Sequence, residues 1–230
     1  MVTARDVLDI DRKRNIIFAR TRTNCQTITE EHPYLTLTCP TRAVVTCLDP
    51  GNIEIMLKVR GVIESDDKDI SFVVLTLKSS TYCSFHKDYT SKRSTLKLGF
   101  HHIDRALEAT ISVRLTCGSS LPPAGFQGVF TARTANIDDV EVMLLDFRDG
   151  KLLVAGNGMI NLSRRVVSIR KSKEDQLKVS IMAWCDKKDG QATRRDNIVF
   201  TPEKYGRSCG LFNVGGCKMQ VTVAWSLFDY

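Results

Sequence analysis

Two copies of one short motif decide the fold of this chain: Val2-Thr3-Ala4-Arg5 returns as Phe130-Thr131-Ala132-Arg133. Four further pairs of similar segments follow in the same order, at offsets of roughly 110 to 128 residues. A period of this kind predicts two copies of one structural unit with insertions in the loops. The further pairs are Leu37 with residues 42–45 and Leu162 with 164–167, 53–59 and 177–183, 70–72 and 198–200, and 109–115 and 219–225.

Apolar and polar side chains alternate along both copies, and this period of two is typical of strands with one buried face. The alternating segments are 34–38, 53–59, 96–98, 109–115, 177–183 and 219–225. The continuous apolar runs 72–75 and 142–145 predict strands covered on both faces. Partial helical spacing at 7–19 and 100–107 predicts short helices. We therefore expect an all-β fold of two tandem homologous antiparallel β-sandwich units, an internal duplication, with few short helices.

The predicted boundary between the units is the segment 119–125, where Pro122-Pro123 and a following glycine interrupt the strand pattern. The first repeat then spans residues 1–118 and the second spans 126–230. The first repeat begins inside its first strand, so we expect its opening strand to be missing or the chain to be cut from a longer parent. One closed or interlocked sandwich built from both copies is the alternative architecture.

The charge of the chain is mildly basic and evenly spread. The net charge is +7, with 17 basic and 14 acidic side chains in residues 1–120 and 16 and 12 in residues 121–230. A dedicated nucleic-acid arm concentrates its charge. The balance therefore permits an anionic partner without requiring one.

The chain has eight cysteines, but their setting argues against a disulfide framework. The first residues contain no apolar signal segment, and no run approaches transmembrane length. Most of the cysteines lie in or beside apolar strand-like stretches, where a free thiol packs as a small hydrophobe. We expect reduced thiols in a cytoplasmic or nuclear protein.

Several motifs resemble an uncharacterised domain family that is abundant in grasses. They are Ala4-Arg5-Asp6, Lys13-Arg14-Asn15, Arg20-Thr21-Arg22-Thr23-Asn24-Cys25-Gln26, Leu37-Thr38-Cys39-Pro40-Thr41-Arg42, Leu162-Ser163-Arg164-Arg165-Val166-Val167 and Val221-Thr222-Val223-Ala224-Trp225-Ser226. The resemblance covers nearly the whole chain. It implies a setting in plant stress or defence, because this family also occurs fused to ribosome-inactivating N-glycosidase domains of the jasmonate-induced type. It implies no catalytic residues.

Clusters of arginine and lysine are the candidate contacts for RNA, for a ribosome or for an anionic membrane surface. Most such clusters are only solvated faces, and specific single-strand readers pair such charge with exposed aromatic side chains for base stacking. Trp184 and Trp225 lie in predicted strands, where core packing is the expected role. The candidate residues are Arg12, Lys13, Arg14, Arg164, Arg165, Arg170, Lys171, Lys187, Lys188, Arg194 and Arg195.

An acidic loop between two predicted strands holds Glu64, Asp66, Asp67 and Asp69. Carboxylates clustered on a sandwich loop could supply the oxygen ligands of calcium. The simpler interpretation is a solvated turn, since Lys68 interrupts the cluster.

Other arrangements that would indicate chemistry are weak. Glu108 and Arg114, the nearest pair to an N-glycosidase constellation, lie in an alternating strand. The adjacent His101 and His102 point to opposite faces, so they cannot easily share a metal ion. We find no Cys-x-x-Cys zinc motif, phosphate-binding loop or nucleophile elbow in the sequence.

The sequence therefore predicts a non-enzymatic protein-interaction module of a plant stress or defence protein, with no cofactor and an unidentified protein partner. The first alternative is an adaptor that associates with RNA or ribosomes through the basic clusters. The second is a calcium-dependent or anionic-membrane-binding β-sandwich. A protein-interaction module should carry an exposed apolar patch or an unpaired sheet edge, and we expect it in the first copy.

Overall fold

The computed structural model describes residues 1–5, 14–38, 40–46, 51–77, 84–116, 126–134, 141–149, 152–172, 174–185 and 192–227. Over these residues the chain forms fifteen β-strands, and every strand pair is antiparallel. The only helical segments described are two short 3₁₀ turns, Arg22–Asn24 and Glu64–Asp66. Over the described residues, the prediction of an almost entirely β chain is confirmed.

The chain divides into two compact units, unit 1 over Met1–Ile103 and unit 2 over Asp104–Tyr230. The predicted linker 119–125 lies outside the described residues. The strand at residues 106–115, which the repeat pattern assigns to the first copy, belongs to unit 2. The physical reason is its apolar face, because Ala109, Ile111 and Val113 are fully buried in the core of unit 2.

Unit 1 contains a four-stranded sheet in the order β2-β1-β3-β4 and a separate hairpin, β5-β6. Its core has seven buried apolar side chains among the described residues, all from the four-stranded sheet. Partly buried side chains of the hairpin and of residues 35–44 pack against them. The strands are β1 (Val2–Arg5), β2 (Asn15–Phe18), β3 (Gly51–Val59), β4 (Lys68–Leu77), β5 (Ser84–Thr90) and β6 (Thr95–His101).

Unit 2 packs two sheets around one larger core. One sheet has the order β10-β7-β15-β14, with β11 also pairing with β7, and the other has the order β13-β12-β8-β9. Side chains from both sheets form the core, which has 26 buried apolar residues among those described. The strands are β7 (Ala106–Leu115), β8 (Phe126–Thr134), β9 (Glu141–Asp146), β10 (Met159–Ile160), β11 (Val166–Arg170), β12 (Leu177–Cys185), β13 (Ala192–Phe200), β14 (Tyr205–Val214) and β15 (Cys217–Leu227).

The four-stranded sheets of the two units have the same strand order along the chain. Read from the other edge, the unit 2 sheet is β9-β8-β12-β13, which matches β2-β1-β3-β4 strand for strand. The register also matches, since Ala4 lies opposite Ile53 and Ala132 lies opposite Val179. Both sheets have a bulge just before the shared threonine, between Val2 and Thr3 and between Phe130 and Thr131.

This register corrects two of the segment matches. Ile53 corresponds to Val179, two residues beyond the match made from the alternating pattern. Residues 198–200 correspond to 75–77 and not to 70–72, because Ile53 pairs with Leu75 and Val179 pairs with Ile198. A shift by two residues leaves every side chain on the same face, so periodicity alone cannot detect it.

Some local predictions are wrong. Residues 34–38 form no strand, residues 15–18 are strand instead of helix, and 100–107 contains the end of β6, a turn and the start of β7. The run 72–75 is not covered on both faces, since Phe72 and Val74 are exposed. An apolar run shows which side chains of a strand can be buried. In residues 72–75 of β4, only one face is buried.

Candidate interaction surfaces

The β3-β4 hairpin of unit 1 exposes apolar side chains on its outer face and at its tip. Met56 lies opposite Phe72 on the outer face, with Val74 one pair further along. Phe72 is 75% exposed and Val74 is 60% exposed. We call the following six residues the hairpin surface: Met56, Phe72, Val74, Val59, Val62 and Ile63.

The hairpin surface borders a sheet edge, because β4 is the last strand of its sheet. The hydroxyl groups of Ser91 and Ser94 donate to the Ile70 carbonyl at 2.9 and 2.7 Å. Beyond that point, from Ser71 to Leu77, the described structure pairs β4 only with β3. An edge of this kind can accept another extended strand.

The matching strand of unit 2, β13, has a different edge. The register places Arg195 where unit 1 has Phe72, and Asn197 where it has Val74. The carboxylate of Asp196, between them, accepts a hydrogen bond from the Asn213 amide at 2.7 Å. Charged side chains on an edge strand oppose pairing with another chain.

The tip of the β3-β4 hairpin is fixed by Arg22. Its Nε donates to the Asp67 carboxylate at 3.1 Å, and its Nη2 donates to the Gly61 carbonyl at 2.9 Å. The Gly61 amide also donates to Asp67, at 2.8 Å. This hydrogen bond from the Gly61 amide, together with the Arg22 guanidinium, lowers the pKa of Asp67, because both stabilise the charged carboxylate. The tip therefore presents Val62 and Ile63 on an ordered loop.

The same contacts assign the predicted calcium loop a structural role. Asp67 is engaged by Arg22, and Asp69 lies 3.5 Å from the Lys58 ammonium. Glu64 and Asp66 are exposed on the 3₁₀ turn. Among the described residues, no group of three or more histidine, cysteine or acidic side chains could hold a metal ion. Asp67 and Asp69 thus face basic side chains, and calcium binding by this loop stays a prediction.

The predicted basic clusters are dispersed. Arg14 forms an ion pair with Glu54 at 2.8 Å. The Arg164 side chain is largely buried just before β11, where burial lowers its pKa and its Nε has no partner among the described residues. Arg165, Arg170 and Lys171 are exposed beside or on β11, and Arg194 and Arg195 are exposed on β13, in the other sheet. Arg12, Lys13, Lys187 and Lys188 lie outside the described residues.

Trp184 lies outside the core, where it was predicted to pack. Trp225 is buried in the core as expected, but Trp184 follows the buried Ala183 and therefore lies on the outer face of its sheet. Its Nε1 donates to the Gln127 side-chain oxygen at 2.8 Å. Arg195 pairs with Met182, one step along this face. Strict alternation along β12 carried this information once the buried positions were known.

The remaining candidates stay separate. Glu108 and Arg114 lie in β7, so about 20 Å separates them along the strand. Glu108 accepts from Thr110, and Arg114 donates to the Asn157 carbonyl. Among the described residues, Cys25 and Cys209 carry exposed free thiols, and Cys217 is buried in the core. In the same part of the chain, we find no helix with the length and apolar character to cross a bilayer.

Comparison with known proteins adds one relationship. No curated protein and no solved structure matches the chain significantly. The model of a family described as a domain of unknown function, DUF6598, matches residues 1–223. This match covers almost the entire chain, including both four-stranded sheets. The chain therefore belongs to the DUF6598 family.

Proposed function

We propose that this protein is a non-enzymatic protein-interaction module and that the hairpin surface is where a partner docks. The observation that carries this proposal is the exposed apolar outer face of β4 beside an unpaired sheet edge. An extended segment of a partner would gain backbone hydrogen bonds from the edge and apolar contacts from Phe72 and Val74. Burial of apolar surface contributes about 25 cal/mol per Å².

The tip of the hairpin supports the same function. Val62 is 92% exposed, and the neighbouring Arg22–Asp67 contact holds its loop in place. A side chain presented by an ordered loop loses little conformational freedom when it binds, so more of the contact energy remains as affinity. Val62 and Ile63 would serve as apolar anchors for a protein partner.

We infer that the two units arose by duplication of one scaffold. The matched strand order, the matched register and the shared bulge support this origin. After duplication, one copy of the edge strand kept apolar residues and the other acquired charged residues. The resemblance described above suggests plant stress or defence as the setting, in the cytoplasm or nucleus, with ribosome-inactivating enzymes as fusion partners of related chains.

A double substitution that gives β4 the residues of β13 tests the docking site. In Phe72→Arg with Val74→Asn, each new residue is the one found at the matching position of unit 2. Both side chains are exposed, so the fold should be retained. Capture from stressed leaf extract, with mass spectrometry, should lose the proteins that the unchanged chain retains.

The matched control is Val199→Arg, which adds charge to an exposed apolar position on β13. This variant should retain the same proteins as the unchanged chain. Retention of the full set by the double variant would reject the hairpin surface as the docking site.

Trp184 supports a second candidate function, association with RNA. It lies on the same sheet face as Lys178 and Arg195, where an aromatic ring and positive charges could contact a single strand. The unchanged chain should then bind poly(U) at low salt and release it steeply as salt rises. Trp184→Ala and Arg195→Gln should each weaken this binding, whereas no binding at low salt would exclude this function.

A further inference from the structure

We propose that His86 and His101 form a binding site for a late first-row divalent metal ion such as zinc. Both residues lie on the β5-β6 hairpin of unit 1. The site is distinct from the hairpin surface and from the acidic loop. It also differs from the adjacent His101-His102 pair, since His102 lies beyond the end of β6.

The strand register places the two imidazoles on one face of the hairpin. His86 lies opposite Gly99, and His101 follows Gly99 by two residues on the same strand. Side chains two residues apart on a strand share a face, so His101 is the diagonal neighbour of His86. The ring centroids are 6.4 Å apart, and the rings meet edge to face.

Gly99 allows the His86 ring to lie across the hairpin toward His101. A Cβ atom at position 99 would lie 2.9 Å from both Cδ2 and Nε2 of His86. Any other residue at this position would therefore push the ring aside. The glycine brings a metal-ligating nitrogen over β6, one step from the second imidazole.

The ring separation is close to what a shared metal ion requires. With metal–nitrogen distances of about 2.0–2.1 Å, two imidazoles on a tetrahedral ion have centroids about 5 Å apart. The observed rings therefore need to approach each other by about 1 Å, which side-chain rotation can supply. The His86 side chain is exposed and free to make this movement.

The surroundings of the two imidazoles do not oppose a bound cation. The next cross-strand pair on the same face is Asp88 and Lys97, whose charges cancel, so the face does not repel a cation. Nδ1 of His101 is buried and has no hydrogen-bond partner among the described residues. A buried ring nitrogen without a partner is costly unless something binds it. Imidazole nitrogen is a ligand that zinc, copper and nickel accept readily.

Zinc titration by calorimetry, with the ion alone as the probe, tests the site. Accessible thiols are alkylated first in every sample, because Cys25 and Cys209 are exposed and thiolates bind zinc. The unchanged chain should bind one equivalent. His86→Gln and His101→Gln should each raise the Kd by at least about tenfold, because two ligands held on one scaffold reinforce each other. Gly99→Ala should also weaken binding, although it removes no ligand.

The control is His32→Gln, an exposed histidine on a different segment of unit 1, which should bind as the unchanged chain does. Circular dichroism of each variant establishes that the fold is retained. Absence of zinc binding, equal binding by all variants, or loss with only one of the two histidine substitutions would overturn the proposal.

Discussion

Strands β4 and β13 occupy the same position in two sheets of the same strand order, yet the side chains that they expose differ in chemical character. The β4 edge has Phe72 and Val74 exposed, while β13 has arginine and asparagine at the matching positions. The units also differ in their cores, since two sheets cover the core of unit 2 and a sheet with a hairpin covers that of unit 1. The shared framework therefore provides a fold, and the differences concentrate apolar exposure in unit 1.

Removal of β7 should have the largest effect, which is on the stability of unit 2. A fragment of residues 104–230 contains β7, whereas a fragment of residues 119–230, close to the predicted second repeat, lacks it. Leu107, Ile111 and Val113 are fully buried, and burial of each stabilises by about 1.5–3 kcal/mol. Their sum is comparable to the whole stability of a domain, roughly 5–15 kcal/mol.

Urea denaturation followed by circular dichroism compares the two fragments. We expect the fragment 104–230 to unfold in one cooperative transition and the fragment 119–230 to show none. Cooperative unfolding of the shorter fragment would contradict the assignment of β7 to unit 2.

Matched core substitutions should sharpen the contrast between the two cores. Ile55 and Ile181 occupy the same register position and are 2% and 1% exposed. Isoleucine to alanine in a core costs roughly 2–5 kcal/mol, with less cost where neighbours can relax into the cavity. We expect Ile181→Ala near the top of this range and Ile55→Ala near the bottom.

Tryptophan fluorescence separates the two effects, because Trp184 and Trp225 both lie in unit 2 and are the only tryptophans. Ile181→Ala should lower the urea midpoint seen by fluorescence. Ile55→Ala should lower mainly the urea midpoint seen by circular dichroism. If Ile55→Ala lowered the urea midpoint seen by fluorescence as much as Ile181→Ala does, the two units would not unfold separately.

The smallest effect should come from the hairpin tip of unit 1. The lowered pKa of Asp67 means that its carboxylate stabilises the fold above the pKa of the unfolded chain, about 4. This contribution disappears as the pH falls through the lower folded-state pKa. Asp67→Asn should therefore lower the Tm slightly at pH 7, and the difference should vanish at acid pH.

Thermal unfolding at several pH values measures this dependence. Asp69→Asn is the control, since its side chain is exposed and its contact with Lys58 is long. A difference between Asp67→Asn and the unchanged chain that persists in acid would show that the carboxylate does not act through its charge.

Sequence reasoning predicted the strand framework because alternation reports directly which face of a strand is buried. The segments containing Ile55, Ala109 and Val221 all formed strands with the expected face inward. It could not assign β7 to a unit, because an alternating strand fits any sheet that offers an apolar surface. It also wrongly placed Trp184 in the core. An aromatic residue in a strand is buried only if its position in the alternation faces inward, and the strand alone does not show which positions do.

The candidate sites were less predictable for a similar reason. Exposure of Phe72 and Val74 depends on what covers the outer face of the sheet, which no local pattern records. The pairing of His86 with His101 depends on the hairpin register around Gly99. Clustered charges, by contrast, are visible in the sequence, but Arg170 and Arg195 lie on strands of different sheets once the chain is folded.

Hydrogen exchange tests the central claim most directly, with the unchanged chain measured alone and bound to a partner retained in the capture experiment. We predict that binding slows amide exchange in residues 68–77 of β4 and leaves residues 192–200 of β13 unchanged. Slower exchange in β13 with no change in β4 would contradict the hairpin surface as the docking site.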